Sequence, residues 1–558
     1  MRPFSLRKKH IYIYVLYTYI CRQTGDYLEE SMKIIVSSTV ISAAIFSIFG
    51  GYVNNRFGRK ITILLSSVLF TIGAVVMAAS DSKEILLVGR IVVGAGVGTS
   101  SCAIPAYIAE ITPCAIRGRM LVTFQLMITF GFWVAGLLNA AFSYIKDDNV
   151  NWRLMLGVAG IPAVIQLVGF IQLPESPRWL ALNGQKDKAE KILTKIYGND
   201  DEAKIAAVMD VKRMIEENEL THAVSGGSNI VMSMLKQSTT RKALLIGCML
   251  QTFQQLCGIN TVMYYSASII QSGGIRSRTM SIWMTSVTSG VNFFCTFIGI
   301  YLIERIGRRS LLLYSTAGVL LSCFILGTGF HLISEHSPPS ATNASTFHPY
   351  SFGESSECYG LGCDACSYMV ECGFCIANEA TSGLCMPVYN NETTGTLLSY
   401  ASSGSCAPNV SLPEIDNQYQ PVDPTASFDY GFCITEYSWL PIMGMVLYLC
   451  SFSVGMPWTD PVDVHLIIYI FREIYPNWAR SVGNSASTCV NWLCNIIVSF
   501  TFLTMSRAIT RQGAFFLYGC ICCIGIISFY LLVPETKGLR MEDIQSVLRS
   551  SWIVPKIK

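Results

Sequence analysis

The chain alternates long apolar runs with short polar loops. A helix crossing about 30 Å of hydrocarbon needs about 20 mostly apolar residues. Runs of that kind occupy 34–53, 60–80, 85–108, 120–143, 153–173, 242–271, 279–303, 310–332, 439–458, 484–505 and 513–533. These eleven segments predict membrane-spanning helices. A twelfth run, Ile11–Cys21, rises only about half a bilayer at 1.5 Å per residue. Arg7, Lys8 and Lys9 before it resemble a signal-peptide start, but no clear small-residue cleavage site follows.

Two polar segments interrupt the series. Residues 181–240 mix Lys, Glu and Asp with helix formers, and 333–437 are rich in Ser, Pro, Asn and Cys. The chain thus divides into an atypical N-terminus (1–30), an N-terminal helical half (31–180) and a helical linker (181–240). The first part of a C-terminal half (241–332), the cysteine-rich segment (333–437), the rest of that half (438–540) and a tail (541–558) follow.

Short loops rich in Lys and Arg stay on the cytoplasmic side. Arg56, Arg59, Lys60, Arg117, Arg119, Arg178, Arg305, Arg308 and Arg309 recur after alternate spans. They place 181–240 inside and 333–437 outside. The outer segment holds glycosylation sequons at Asn343, Asn391 and Asn409, which only an external segment can use. It also holds Cys358, Cys363, Cys366, Cys372, Cys375, Cys385, Cys406 and Cys433. Two Cys-x-x-Cys pairs admit a zinc knuckle. An even count on an oxidising side favours disulfides, with the pairing open.

Composition narrows the function. Hydrophobic residues make up 51% of the 558 and charged ones 14%, against about 25% charged in a soluble domain. A net charge of +3 is too small to draw nucleic acid. The histidines lack metal-ligand spacing, and no phosphate loop or nucleophile–base pair is present. An enzyme, a cofactor and a bound metal are therefore not expected.

An internal repeat points to transport. Gly50-Gly51-Tyr52-Val53-Asn54-Asn55-Arg56-Phe57-Gly58-Arg59-Lys60 is echoed by Glu304-Arg305-Ile306-Gly307-Arg308-Arg309. Pro174-Glu175-Ser176-Pro177-Arg178 is echoed by Pro534-Glu535-Thr536-Lys537-Gly538. The second pair lies about 110 residues further apart than the first, near the length of the cysteine-rich segment. Two six-span halves, the second carrying an insertion, are the mark of alternating-access carriers with a mid-membrane site. Arginine grips carboxylates bidentately. Glu110, Glu175, Glu304, Glu473 and Glu535 are therefore expected to clasp Arg56, Arg59, Arg117, Arg178, Arg305, Arg308 and Arg480 in a cytoplasmic gate.

These motifs resemble the sugar porter family of the major facilitator superfamily over about 31–545. The likeness extends to the branch that carries inositol with protons, through the large loop with a plexin-like cysteine pattern and Gln254-Gln255-Leu256-Cys257-Gly258-Ile259-Asn260. The resemblance implies an all-α membrane fold of two six-helix halves, the first helix degenerate or missing, with a disulfide-rich external insertion. It also implies a substrate site of Gln125, Gln254, Gln255, Asn260, Asn292, Trp458, Asn491, Trp492 and Asn495. The chemistry agrees, because amides both donate to and accept from polyol hydroxyls. Gln255 and Asn260 lie five positions apart, about 140° out of register on an unbroken helix. They share one site only if the helix breaks, which Gly258 permits.

The sequence also departs from the family. Its proton-coupled members pair an arginine at the place of Arg90 with a first-helix Asp, which 1–30 lack; Asp26 is the one substitute considered. Asn55 stands where an acid is expected before Arg56, and Asp460–Arg472 is extra chain after Trp458. The expectation is a secondary transporter of myo-inositol or a related polyol or hexose, proton-coupled, multi-pass in the plasma-membrane bilayer. The rivals are a facilitative hexose uniporter and a transport-dead truncated isoform. Oligomeric state stays open.

Overall fold

The computed structural model describes residues 25–113, 116–145, 147–198, 201–225, 230–275, 278–340, 433–456 and 480–535. Between 341 and 432 it describes 358, 360–369, 372–376, 382–391, 396–401, 406–407 and 427–429. The run at Ile11–Cys21, Trp458, Glu473, the 460–472 stretch, Asn343, Asn409 and the tail lie outside the described residues.

The first half comprises α1 (Gly25–Phe57), α2 (Arg59–Ala78), α3 (Lys83–Ile111), α4 (Arg117–Phe142), α5 (Asp148–Gly157) and α6 (Gly160–Gln172). The linker holds α7 (Pro177–Leu182), α8 (Lys186–Tyr197), α9 (Asp201–Ser225) and α10 (Ile230–Lys236). Leu180, Ala189, Leu193, Ala207 and Val211 form a small core of their own there. The second half begins with α11 (Ser238–Leu256), α12 (Ile259–Tyr264), α13 (Ser266–Ser272), α14 (Arg278–Ile306) and α15 (Arg308–Glu335). After the cysteine-rich segment, which contains α16 (Cys363–Ser367), come α17 (Trp439–Gly455), α18 (Arg480–Ala508) and α19 (Thr510–Leu532).

Among the described residues nine helices are long and apolar enough to cross a membrane. Two of the eleven expected spans are not in that set. Residues 242–271 fall in three helices of 19, 6 and 7 residues instead of one, and 439–458 gives the 17-residue α17 before the described residues stop. The exceptions are the spans on which the sequence placed Gln254, Gln255, Asn260 and Trp458.

Lipid offers no hydrophobic drive between helices, so close packing of small residues must hold them. A methyl group at Gly94 or Gly98 would collide with the Thr39 or Ala43 carbonyl, so α3 rides directly on the backbone of α1. The halves meet along two seams. On one, Trp492 of α18 packs on Val40 and Ala43 of α1. On the other, Trp133 of α4 stacks on Phe293 of α14, centroids 5.5 Å apart, beside Gly290, where a Cβ would lie 2.8 Å from the indole nitrogen.

The cysteine-rich segment is a four-stranded antiparallel sheet in the order β3-β2-β1-β4. The strands are β1 (Cys372–Ile376), β2 (Leu384–Asn391), β3 (Thr396–Ala401) and β4 (Ser427–Asp429). All eight cysteines are in disulfides, Cys358–Cys372, Cys363–Cys433, Cys366–Cys385 and Cys375–Cys406, and so offer no thiolate to a zinc ion. The small apolar core of Phe374, Leu384 and Met386 lies among them. A unit this small needs such staples. Asn391, one sequon asparagine, ends β2 opposite Thr396.

The unit is tied to the helices. Ser334 at the end of α15 donates to Asp364 Oδ2 at 2.6 Å. The Arg511 guanidinium of α19 lies 4.7 Å from the Tyr368 ring centroid. Burial pushes the Tyr368 phenol above its ordinary pKa, with the Arg511 charge pulling the other way.

Candidate substrate site

The site is built on the break between α11 and α12. Gly258 takes φ +94°, and a Cβ there would lie 2.8 Å from the Tyr518 ring. Backbone groups freed by a break inside a membrane must find partners. Here the Tyr448 hydroxyl donates to the Cys257 carbonyl at 3.2 Å, and the Cys257 thiol to the Gln254 carbonyl at 2.8 Å. Beyond the break, Thr261 Oγ1 and Tyr518 Oη are 2.9 Å apart.

The break brings together residues that an unbroken helix would separate. Asn260 Nδ2 donates to Gln255 Oε1. Gln255 Nε2 donates to Asn491 Oδ1 of α18 at 3.0 Å. Asn491 Nδ2 donates to Gln254 Oε1 at 2.8 Å and to Gln251 Oε1. Five buried amides thus form one network with Asn491 as its hub. Gln251 was missed in the sequence reading. Its signal was there, since it precedes Gln254 and Gln255 by three and four positions and so shares their helix face.

The other expected residues lie apart from this network. Gln125 on α4 is 1% exposed, and its Oε1 has no hydrogen-bond partner. Trp492 Nε1 is likewise buried and unpartnered. Asn495 Oδ1 accepts from Ser499 at 3.0 Å. Asn292 on α14 accepts from Ser453 of α17. Buried polar atoms are normally paired, so the open valences on Gln125 and Trp492 mark where a hydroxylated ligand could be met.

Arg90 is buried in α3, and Nη1 donates to Thr39 Oγ1 at 3.2 Å. Nε and Nη2 have no hydrogen-bond partner among the described residues. Asp26 sits on the same helix as Thr39, thirteen residues away, about 20 Å of helix rise. The Asp26 side chain lies outside the described residues.

At the basic end the repeat acquires a physical meaning. Gly58 and Gly307 take φ +100° and +99°, immediately before α2 and α15. Neither glycine caps its helix with a side chain. A carboxylate from the other motif does so instead. Glu175 accepts from the backbone N–H of Arg59 at 2.9 Å, Lys60 at 3.1 Å and Ser176 at 2.8 Å. Glu535 accepts from the backbone N–H of Arg308 at 3.1 Å and Arg309 at 3.2 Å. A carboxylate at a helix N-terminus meets unpaired N–H groups and the positive end of the dipole. Glu175 was expected to grip a guanidinium; it grips helix N–H groups, because glycine leaves them bare.

Arg59 finds its carboxylate in Glu110, with Nη2 at 2.9 Å and Nε at 2.8 Å. Ser176 Oγ donates to the same Glu110 at 2.5 Å. Asn55, in the place of an acid, accepts the Trp179 indole N–H on its carbonyl at 3.0 Å. Arg56 is exposed at the end of α1 and Arg178 is half-buried in α7. Arg305 stacks on Tyr301 at 4.3 Å. The side chains of Arg117, Glu304 and Arg480 lie outside the described residues.

The family profile described as "Sugar (and other) transporter" matches residues 11–363 and 430–548. The human proton myo-inositol cotransporter is 42% identical over 92% of this chain and 75% of its own length. The Caenorhabditis elegans proton myo-inositol cotransporter hmit-1.2 is 38% identical over 92% of this chain and 82% of its own. An Arabidopsis thaliana protein named probable inositol transporter 2 is 35% identical over 92% and 84%. Among solved structures, the major facilitator proton:xylose symporter XylE superposes with a TM-score of 0.64 at 22% identity, covering 96% of this chain and 94% of that one. Broken spans, a two-half repeat and a buried amide cluster thus stand on a major facilitator fold, and the chain is a multi-pass membrane protein that belongs to the sugar transporter family.

Proposed function

We propose that this chain carries myo-inositol, or a closely related polyol or hexose, across the plasma membrane by alternating access, driven by protons. The observation that carries the reading is the five-amide network at the α11–α12 break. A cyclic polyol is neutral and ringed with hydroxyls, each able to donate and accept, and amides answer both. Single polar contacts between membrane helices are worth only about 0.6 kcal/mol on average. Five buried amides, with open valences on Gln125 and Trp492, exceed what helix association requires. Trp458, three positions past the end of α17 in sequence, is the residue that the family resemblance assigns to pack an apolar face on the ring. The names of relatives at 35–42% identity support inositol as the cargo, and two of them support proton coupling.

In this reading 31–180 and 241–540 are the moving halves, 181–240 and 541–558 face the cytoplasm, and 333–437 is external and glycosylated. Each proton entering gains about 2.3 kcal/mol per 100 mV of membrane potential, enough to concentrate a neutral solute more than tenfold. The test is uptake of labelled myo-inositol and hexose by surface-expressed protein at acidic and neutral external pH. Acid-stimulated myo-inositol uptake is expected. Uptake of hexose without pH dependence would overturn the proton-coupled reading in favour of an uncoupled carrier. That second reading draws on Arg90, whose guanidinium meets no carboxylate among the described residues. No uptake of either solute despite surface delivery would overturn both.

The Arg59–Glu110–Ser176 cluster and the Glu175 cap are proposed to brace the cytoplasmic face while the carrier is open outward. Arg59→Ala removes both guanidinium contacts and leaves Glu110 half-buried without its cation. A partly buried charged contact is worth about 1.5–3 kcal/mol. The expected result is a transport rate lowered about tenfold or more at unchanged surface expression. Unchanged transport would count against the brace.

A further inference from the structure

Asn292 and Ser453 face each other on the seam between α14 and α17. Asn292, Cys295 and Gly299 occupy one face of α14 at i, i+3 and i+7. Opposite them stand Ser453, Cys450 and Val454. The Ser453 hydroxyl donates to Asn292 Oδ1, sharing its proton with the Leu449 carbonyl at 2.6 Å in a three-centre arrangement. Cys295 Sγ and Cys450 Sγ are 3.3 Å apart. A Cβ at Gly299 would lie 2.7 Å from the Val454 carbonyl oxygen, so the two backbones are in close approach. Ser453 is fully buried, and its hydroxyl lies between Asn292 Oδ1 and the Leu449 carbonyl.

An asparagine amide is two-sided, and a half-turn exchanges its donor for its acceptor. With Oδ1 held by Ser453, Asn292 has only Nδ2 left to offer, and no described residue accepts from it. We propose that Ser453 is a positioning and specificity residue. It fixes Asn292 as a donor toward the carried polyol and links that donor to α17, the helix that leads three residues on to Trp458. This rests on the reading of Asn292 as a substrate contact. It adds that one ring position of the substrate must accept a hydrogen bond and need not donate one.

The test is a double-mutant cycle on uptake by surface-delivered protein, using Ser453→Ala, Asn292→Ala and both together. A lost neutral hydrogen bond is worth about 0.5–1.5 kcal/mol, or about two- to tenfold. Ser453→Ala should raise KM for myo-inositol by about that factor with maximal rate retained. In the Asn292→Ala background it should change nothing further, whereas a packing role would give additive effects. A second readout uses inositols altered at one hydroxyl at a time. Fluorine accepts and cannot donate. In the wild type one fluoro analogue should compete better than the deoxy analogue at the same carbon, and Ser453→Ala should erase that difference. Additive effects, or a silent Ser453→Ala beside a damaging Asn292→Ala, overturn the inference while leaving the amide site intact. Absence of myo-inositol transport by the wild type would instead overturn the polyol reading, and this inference with it.

Discussion

Asn491→Ala is expected to lower myo-inositol transport, as maximal rate over KM, about a hundredfold or more. Asn491 receives Gln255 Nε2 and gives its own Nδ2 to Gln254 and Gln251. Alanine takes a partner from three amides at once, each of them buried. Leaving a buried polar group unsatisfied costs about 1–3 kcal/mol. Gln255 Nε2 keeps Gln254 Oε1 at 3.4 Å, and a mid-range cost shared by the network of about 3 kcal/mol is roughly a hundredfold at 1.4 kcal/mol per tenfold. The amides would also turn toward one another, losing the geometry that meets a ring of hydroxyls. Asn495 is the control on the same helix. Its amide oxygen accepts from Ser499 one turn away, so Asn495→Ala should cost about tenfold less than Asn491→Ala. Kinetics of both variants, normalised to protein at the cell surface, check the order. Equal effects would show that Asn491 is no hub.

Gly258→Ala should be about as damaging, for a backbone reason. The break needs φ +94°, where an L-residue with a Cβ pays about 1–2 kcal/mol. The new methyl would also stand 2.8 Å from the Tyr518 ring. Tyr518 is buried and paired with Thr261 just beyond the break, so moving the ring disturbs α12 itself. If the strand of chain from Cys257 to Asn260 straightens, Asn260 rotates away from Gln255 and the network loses a member. The expected outcome is a loss of transport of about a hundredfold. Gly169→Ala, where a Cβ meets nothing within 4 Å, should leave transport near wild type. Wild-type transport by Gly258→Ala would mean that the break is not needed for the site.

Much of this was legible along the chain. Apolar length gave nine of the eleven spans among the described residues. The 140° mismatch between Gln255 and Asn260 required a broken helix, and Gly258 marked the place. Repetition of Gly58-Arg59-Lys60 as Gly307-Arg308-Arg309 showed two related halves. What was not legible depends on contacts between distant residues. Nothing near Glu175 says that two of its partners are N–H groups more than a hundred positions earlier, since the arginine side chains there offer a carboxylate an equally plausible grip. Only the positive φ of Gly58, with its bare helix end, decides between them. The disulfide pairing is hidden for the same reason, because Cys363 joins Cys433 across 70 residues while Cys366, a Cys-x-x-Cys neighbour, joins Cys385. Ser453 is one serine among many until α17 is laid against Asn292.

The halves also differ in a way the repeat alone did not announce. Glu175 and Glu535 cap equivalent helices, yet the amide hub lies wholly within the second half, on α11, α12 and α18. The first half contributes Gln125 and, through α1, the surface on which Trp492 rests. Under the proposed function the second half is the substrate holder and the first is the wall that closes against it.

The most direct measurement is equilibrium binding of labelled myo-inositol to the purified full chain, wild type beside Asn491→Ala. Saturable binding by the wild type is expected, displaced by unlabelled myo-inositol and weakened about a hundredfold in the variant. Wild-type protein that binds no myo-inositol, or an Asn491→Ala variant that binds it equally well, would contradict the amide site.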